Sequence, residues 1–314
     1  MNRTGRRLTE PLKRIVLGMQ PSDAVRKQFV DQRELDGIQI RWPAILWGRY
    51  AWSWVEPLYY GFRERVSVTV VDIPQTLKGD VVVEVCRGAH VIRVGINCAD
   101  DPDRIHLGTA EAGLDLEFKM QYRNEGYGSR NIVPGGYIGN SMLMDWYARR
   151  PRRVRERNEF LWDVYGRFGA NFAGEVRARA VRLLDEQRRF RFYGGLRKVS
   201  FPKFLGEISR ARVCIDLPGN GPFCFRLVNY LAVGACVVSV PHATSMPVPL
   251  VDRRHIVYTK PDMSDLVELC ERYVNDESAR ESVRRAGREY YRENLYWRSL
   301  ADYYLRTILK ALPQ

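Results

Sequence analysis

Strand and helix signals alternate regularly through the second half of the 314-residue chain. That alternation predicts an α/β fold with a parallel sheet and helices on both faces, a Rossmann-like domain. Three observations carry the expectation: short β-branched runs, amphipathic stretches between them, and glycines just beyond the strands. EFLWDVYGRF (159–168) reads as a strand leaving into a loop at Gly166 and Arg167. GEVRARAVRLLDEQRR (174–189) has helical spacing, with Val176, Ala180, Leu183 and Leu184 on one side. RFRFYGG (189–195) is a short strand followed by glycines, and FPKFLGEISRAR (201–212) a helix. VCIDL (213–217) is a strand, FCFRLVNYLAVG (223–234) a helix that Gly234 can cap, and ACVVSV (235–240) a strand. HIVYT (255–259) adds another strand, and from Met263 the pattern is helical almost to the end.

The first half is less regular. VSVTVVDI (66–73), DVVVEVC (80–86) and HVIRVGINC (90–98) read as strands bounded by turn residues, with LEFKMQY (116–122) a shorter one. NEGYGSRNIVPGGYIGN (124–140) reads as a glycine-rich loop. AILWGRYAWSWVEPLYYGF (44–62) carries three tryptophans and four further aromatics, which suit packing and in part the lining of a cleft. Near the start, IVLGM is too short for a signal-peptide core and fits a first buried strand. ARRPRRVRER (148–157) reads as a linker running into a helix, with Pro151 as punctuation.

Composition narrows the function classes. Hydrophobic residues make up 45% and charged residues 28%, the balance of a globular protein rather than of a disordered or membrane chain. No run reaches the ~18 uninterrupted apolar residues of a membrane span, and a cytoplasmic location is expected. The six cysteines form no CxxC pair and lie mostly in apolar runs, so they are expected to be reduced core residues; the four histidines show no metal-ligand spacing. Fifty basic against 37 acidic residues leave a net charge of +13, and the stretch from Arg149 to Lys198 holds 15 basic and 6 acidic side chains, a local +9. Such an excess suits nucleic acid, anionic lipid or a phosphorylated small molecule, or simply a solvated helix surface.

Parallel α/β sheets take ligands beyond the carboxyl ends of their strands, where loops enter helix N-termini. LPGNGPF occupies such a position: strand VCIDL ends, Gly219 and Gly221 permit close backbone approach, and Pro222 and Phe223 start a helix whose free amides favour phosphate. The motif is neither G-x-G-x-x-G nor a Walker A. An arginine in this apolar helix needs an anionic partner, either an internal carboxylate or a ligand. Arg226, Asn229 and Val233 fall on one side and Cys224, Leu227, Val228 and Leu231 on the other, so Arg226 is expected to project toward a ligand crevice.

The segments FPKFLGEISRARVCIDLPGNG, FRLVNYLAVGACVVSV, HIVYTKPDMSDLVELCERYV and RAGREYYRENLYWRSLADYYL together resemble the donor-binding half of GT-B glycosyltransferases, particularly exostosin-like and group 1-like single-sugar transferases, over roughly Asn158 to Leu305. The resemblance implies two Rossmann-like domains facing each other across a cleft: an acceptor domain over 1–150, a donor domain over 151–297, and a C-terminal helix over 298–314 returning to the first. It implies a nucleotide-sugar co-substrate, UDP- or GDP-linked, with no further cofactor and no metal. Arg226 would pair with the donor diphosphate, with Arg167 and Lys198 as further candidates and Gly219, Gly221 and Phe223 shaping the loop. Many GT-B enzymes carry glutamate where this chain has Asn229, a side chain associated with donor hydroxyls.

In the N-terminal half, GINCADDPDRI (95–105) ends a strand in carboxylates. An inverting transferase needs a base for the acceptor hydroxyl, and Asp100 or Asp101 is the candidate, although D-D-P is also ordinary turn or cap chemistry. A retaining mechanism needs no such base. Lys119, in FKMQYR, is expected either to contact the donor or to finish a strand. The competing class is a non-catalytic polyanion-binding protein using the basic segment 149–198, or a transferase acting on nucleic acid or an anionic lipid carrier, although no nucleic-acid-binding motif is present.

Overall fold

The computed structural model describes residues 29–46, 51–138 and 142–313. The strand expected at IVLGM lies outside these residues. Two large sheets are present, each with its own helices.

The C-terminal sheet holds β8 (Trp162–Arg167), β9 (Phe192–Gly195), β10 (Ala211–Asp216), β11 (Cys236–Ser239) and β13 (Val257–Tyr258). Its order is β9-β8-β10-β11-β13, and every pairing is parallel. Period-two alternation splits its side chains between two cores. Val213, Ile215, Cys236 and Val238 meet Ala180 and Leu184 of α3 (Gly174–Glu186) and Leu266 and Cys270 of α6 (Leu266–Asn275). Cys214 and Val237 face Leu205 and Ile208 of α4 (Phe201–Ser209) and Leu227 and Leu231 of α5 (Phe225–Val233). Gly234 ends α5 in the left-handed conformation, φ 74°, its amide bonded to the Leu231 carbonyl. The expected parallel α/β domain is therefore present.

The N-terminal sheet runs β2-β1-β3-β4-β5-β7, from β1 (Ile38–Pro43), β2 (Ser67–Val71), β3 (Asp80–Arg87), β4 (His90–Asn97), β5 (Leu116–Lys119) and β7 (Ile132–Pro134). It departs from a parallel Rossmann sheet. The central β3–β4 pair is an antiparallel hairpin, since only two residues separate the strands, too few for a crossover. Residues 51–62 of the aromatic run fall in α1 (Ala51–Arg63), and β7 lies within the stretch read as a glycine-rich loop. The stretch read as a linker forms most of α2 (Met144–Glu156), with Pro151 inside the helix. After α7 (Glu277–Tyr290), α8 (Trp297–Ala311) packs on α1, where Gly61 and Ala301 approach closely. Tyr304 of α8 stacks on Phe118 of β5 at 3.8 Å between ring centroids.

The two units meet along a hydrogen-bonded seam. The short strands β6 (Tyr122–Arg123) and β12 (Thr244–Ser245) pair antiparallel across it. Beside them, buried Gln121 donates from Nε2 to the Phe223 carbonyl at 2.9 Å and accepts from the Phe223 amide on Oε1 at 3.1 Å. Gly221 fits underneath. A Cβ there would stand 2.7 Å from both the Asp100 carbonyl oxygen and Gln121 Nε2. Gly221→Ala is therefore expected to lower unfolding stability by about 1–3 kcal/mol through overpacking of the seam, measured by urea titration. An unchanged midpoint would contradict this.

Candidate functional site

In a parallel sheet of order 2-1-3-4-5, the chain leaves the first and third strands toward opposite faces, and their loops part above the sheet. Here those strands are β8 and β10. A crevice of about 650 Å³ opens above them, lined by Arg167, Phe168 and Gly169 after β8 and by Gly219, Asn220 and Phe223 to Arg226 after β10. Trp54, Asp100 and Tyr137 of the N-terminal unit form the facing wall. The site is therefore shared between the two units.

The structure redistributes the expected roles. Arg226 borders the crevice but is buried, its Nε bonded to Asp216 Oδ1 at 2.9 Å and its Nη2 to the Leu217 carbonyl, with Phe168 beneath the guanidinium. Its anionic partner is thus an internal carboxylate. The expectation of a free ligand-facing side on α5 is corrected: α2, α4 and α7 pack around that helix and only Phe225 remains exposed. Asn229 is buried with it and is not among the crevice residues. Arg167 lines the crevice, yet Glu207 holds it through two bonds, Nε to Oε2 at 2.6 Å and Nη2 to Oε1 at 3.2 Å. Its charge is already met.

Gly219 and Phe223 border the crevice, whereas Gly221 turns into the seam. The Phe223 amide is taken by Gln121, so it is not one of the free donors expected at the head of α5. Lys198 is exposed at the crevice and makes no hydrogen bond or ion pair among the described residues. The two candidate bases separate. Asp100 is half-buried on the N-terminal wall, where Asn220 Nδ2 donates to its Oδ2 at 2.9 Å. Asp101 is exposed and accepts the Asp103 amide at 2.9 Å in a local turn, away from the crevice.

Sequence reasoning missed Arg177. This side chain is buried on α3 and lines the crevice. Its hydrogen bonds among the described residues go to neutral carbonyls, of Pro218 from Nε at 3.0 Å and from Nη2, and of Gly169 from Nη1. No carboxylate among the described residues pairs with it. Burial, followed by the neighbouring Arg226, lowers its pKa. A signal existed: Arg177 precedes the buried Ala180 and Leu184 by three and seven residues, on the same helical stripe.

Residues 175–306, under half of the chain, match the model of a family described as glycosyl transferase-like. The C-terminal unit is glycosyltransferase-like. The crystal structure of a glycosyltransferase from Rickettsia africae ESF-5 aligns at 10% identity over 57% of this chain and 57% of that one, with a TM-score of 0.39. No curated protein matches the chain.

The arginine-rich stretch that enters the glycosyltransferase-like domain is not all surface. Arg155 is buried and donates to the carbonyls of Gly234, Ile208 and Ala211, Arg152 pairs with Asp145, and Arg167 and Arg177 are placed as described. Part of the local charge excess therefore serves internal carbonyls and carboxylates. Among the described residues there is no group of three or more His, Cys, Asp or Glu side chains that could hold a metal, all six cysteines are free and buried, and no helix is long and apolar enough to cross a membrane.

Lys119 does not line the crevice and is fully buried. It lies in a polar cluster with Asn97, Glu117 and Asp80 on the N-terminal side of the glycosyltransferase-like domain's crevice. Burial, reinforced by Glu117, pushes the Asp80 carboxyl up to about 8, against the lowering pull of Lys119 and Arg104. His106 Nε2 stands 3.6 Å from it. The folded state thus keeps a proton on Asp80 that the unfolded chain releases near 3.8, and between these values stability falls as pH rises. Melting temperatures of wild type and Asp80→Asn should therefore diverge, the wild type losing ground between pH 5 and pH 8; parallel curves would refute the assignment.

Arg226→Ala would strand the buried Asp216 carboxylate and is expected to cost roughly 3–5 kcal/mol of stability, with much of the loss recovered in Arg226→Met/Asp216→Leu. A loss below about 1 kcal/mol in urea unfolding would show that the pair does not support this loop.

Proposed function

We propose that the chain is a GT-B-type glycosyltransferase that moves a sugar from a UDP- or GDP-linked donor to a hydroxyl acceptor. The observation that carries the proposal is Arg177, a buried cation without a carboxylate, set at the parting of the β8 and β10 loops. Lys198 stands at the same crevice. A leaving nucleoside diphosphate needs positive charge that is already oriented, and this pair supplies it without a metal ion. The expected role of Arg226 passes to Arg177, because Asp216 already occupies the Arg226 fork. Arg226 then keeps the Leu217 end of the loop in place.

On the facing wall, Asp100 is the base that takes the proton from the acceptor hydroxyl as the donor bond breaks, an inverting displacement. Trp54 and Tyr137 flank it with aromatic surface. The fork of Arg167 remains with Glu207, so that arginine shapes the crevice floor rather than neutralising the donor.

Calorimetric titration with UDP and GDP in EDTA tests the donor half of this reading. One of the two nucleotides should bind. Lys198→Ala, an exposed position, should weaken it about tenfold, ~1.4 kcal/mol, and Arg177→Met by more. A strict need for a divalent ion, or wild-type affinity in both variants, would sink the proposal.

A further inference from the structure

The segment that carries Asp100 runs from Cys98 to Leu107, the first part of the 98–115 connection between β4 and β5. Loops of this length ordinarily wander. This one is tied from below at both ends by three side chains that are essentially inaccessible to solvent, Asn97, Glu117 and Lys119. At the near end, Lys119 Nζ donates to the Ala99 carbonyl at 2.9 Å and to Asn97 Oδ1 at 3.0 Å, and the Ala99 amide donates to the same Asn97 oxygen at 3.0 Å. At the far end, Glu117 Oε2 accepts the amides of His106 and Leu107 at 2.9 and 2.6 Å. Asn97 Nδ2 joins the two, donating to Glu117 Oε1 at 2.7 Å and to the Arg104 carbonyl at 2.9 Å.

A buried ammonium is expensive to desolvate and ordinarily sits against a carboxylate. Lys119 does not. Among the described residues it forms no ion pair within 4 Å, and both its hydrogen bonds go to the segment 97–99. Burial lowers its pKa, and Asp80 and Glu117 oppose that shift through their field without an ion-pair contact. One of its two hydrogen bonds goes to a backbone peptide group, the one that immediately precedes Asp100, and the other to the Asn97 side chain. From the opposite side, Asn220 fixes the Asp100 carboxylate itself.

We infer that Lys119 is a positioning residue for Asp100: through the Ala99 carbonyl it sets the orientation of the Asp100 backbone, and hence where the carboxylate stands in the crevice. Asn97 and Glu117 complete the tie. The inference rests on the reading of Asp100 as the base, and the two can fail separately.

Lys119→Met keeps the length of the side chain and removes its donors. Hydrogen exchange should show amides of residues 98–107 exchanging at least about tenfold faster, with β3 and β4 little altered. Release of UDP from UDP-glucose and of GDP from GDP-mannose gives the second readout. For whichever donor is turned over, kcat should fall up to about a hundredfold with the donor KM within about twofold, as expected for a misplaced group that does not bind donor. In an Asp100→Asn background, adding Lys119→Met should cost little more. Should Lys119→Met fold poorly, Glu117→Gln/Lys119→Met removes both buried charges and is judged by the same exchange readout.

Unchanged exchange of the loop overturns the inference whether or not either donor is consumed. So does a Lys119→Met loss of equal size with and without Asp100. Full turnover in Asp100→Asn instead removes the base, and with it the catalytic meaning of the tie, while faster loop exchange in Lys119→Met would still show the tie itself.

Discussion

One side-chain amide holds the functional geometry together. Gln121 uses its carbonyl and its amino group on the two backbone groups of a single residue, Phe223, so that the link between β5 and β6 in one unit grips the entrance of α5 in the other. Both partners are buried, where an unmet amide would cost on the order of 1–3 kcal/mol. Around this grip the β6–β12 pairing and the Asn220–Asp100 bond fall into line. The crevice is the gap left beside the seam, and its shape depends on that register. Gly221 is glycine for the same reason, because the contact leaves no room for a Cβ.

The second constraint is electrostatic. Several arginines of this basic chain and one lysine lie inside it, and the interior meets their charge in two ways. Arg226 and Arg167 have carboxylate partners, Asp216 and Glu207. Arg155, Arg177 and Lys119 instead hold carbonyl oxygens. Arg155 collects the carbonyls at the ends of α4 and α5, where the helix dipole is negative and favours a cation. Paired arginines contribute little net field at the crevice. Arg177 is bonded only to neutral groups and has no carboxylate partner among the described residues.

Opposing walls complete the arrangement. The wall from the C-terminal unit is cationic through Arg177 and Lys198, and the other presents Asp100 together with Trp54 and Tyr137. Separation of the two charges across a gap suits a displacement in which negative charge departs on one side and a proton is taken up on the other.

What the sequence determined by itself was the periodic part. Runs such as VCIDL and ACVVSV are buried on both faces in a parallel sheet, and such strands announce themselves by composition. The glycine at 234 and the loop LPGNGPF were legible for the same local reason, since turns and caps depend on a few adjacent residues. The N-terminal sheet was less legible. Its helix α1 is masked by aromatic residues and Pro57, and α2 contains Pro151 and a run of arginines that read as a linker.

Tertiary structure alone decided the charges. Helical spacing placed Arg226 on a side opposite Leu227 and Leu231, but whether that side faces solvent, ligand or another helix depends on elements distant in sequence. Here those elements bury it, and Asp216, ten residues earlier, comes within 2.9 Å because β10 and α5 lie side by side. The same holds for Arg177, Lys119 and the separation of Asp100 from Asp101. Pairing energies fall off within a few ångströms, and a one-dimensional pattern carries no distances between residues remote along the chain.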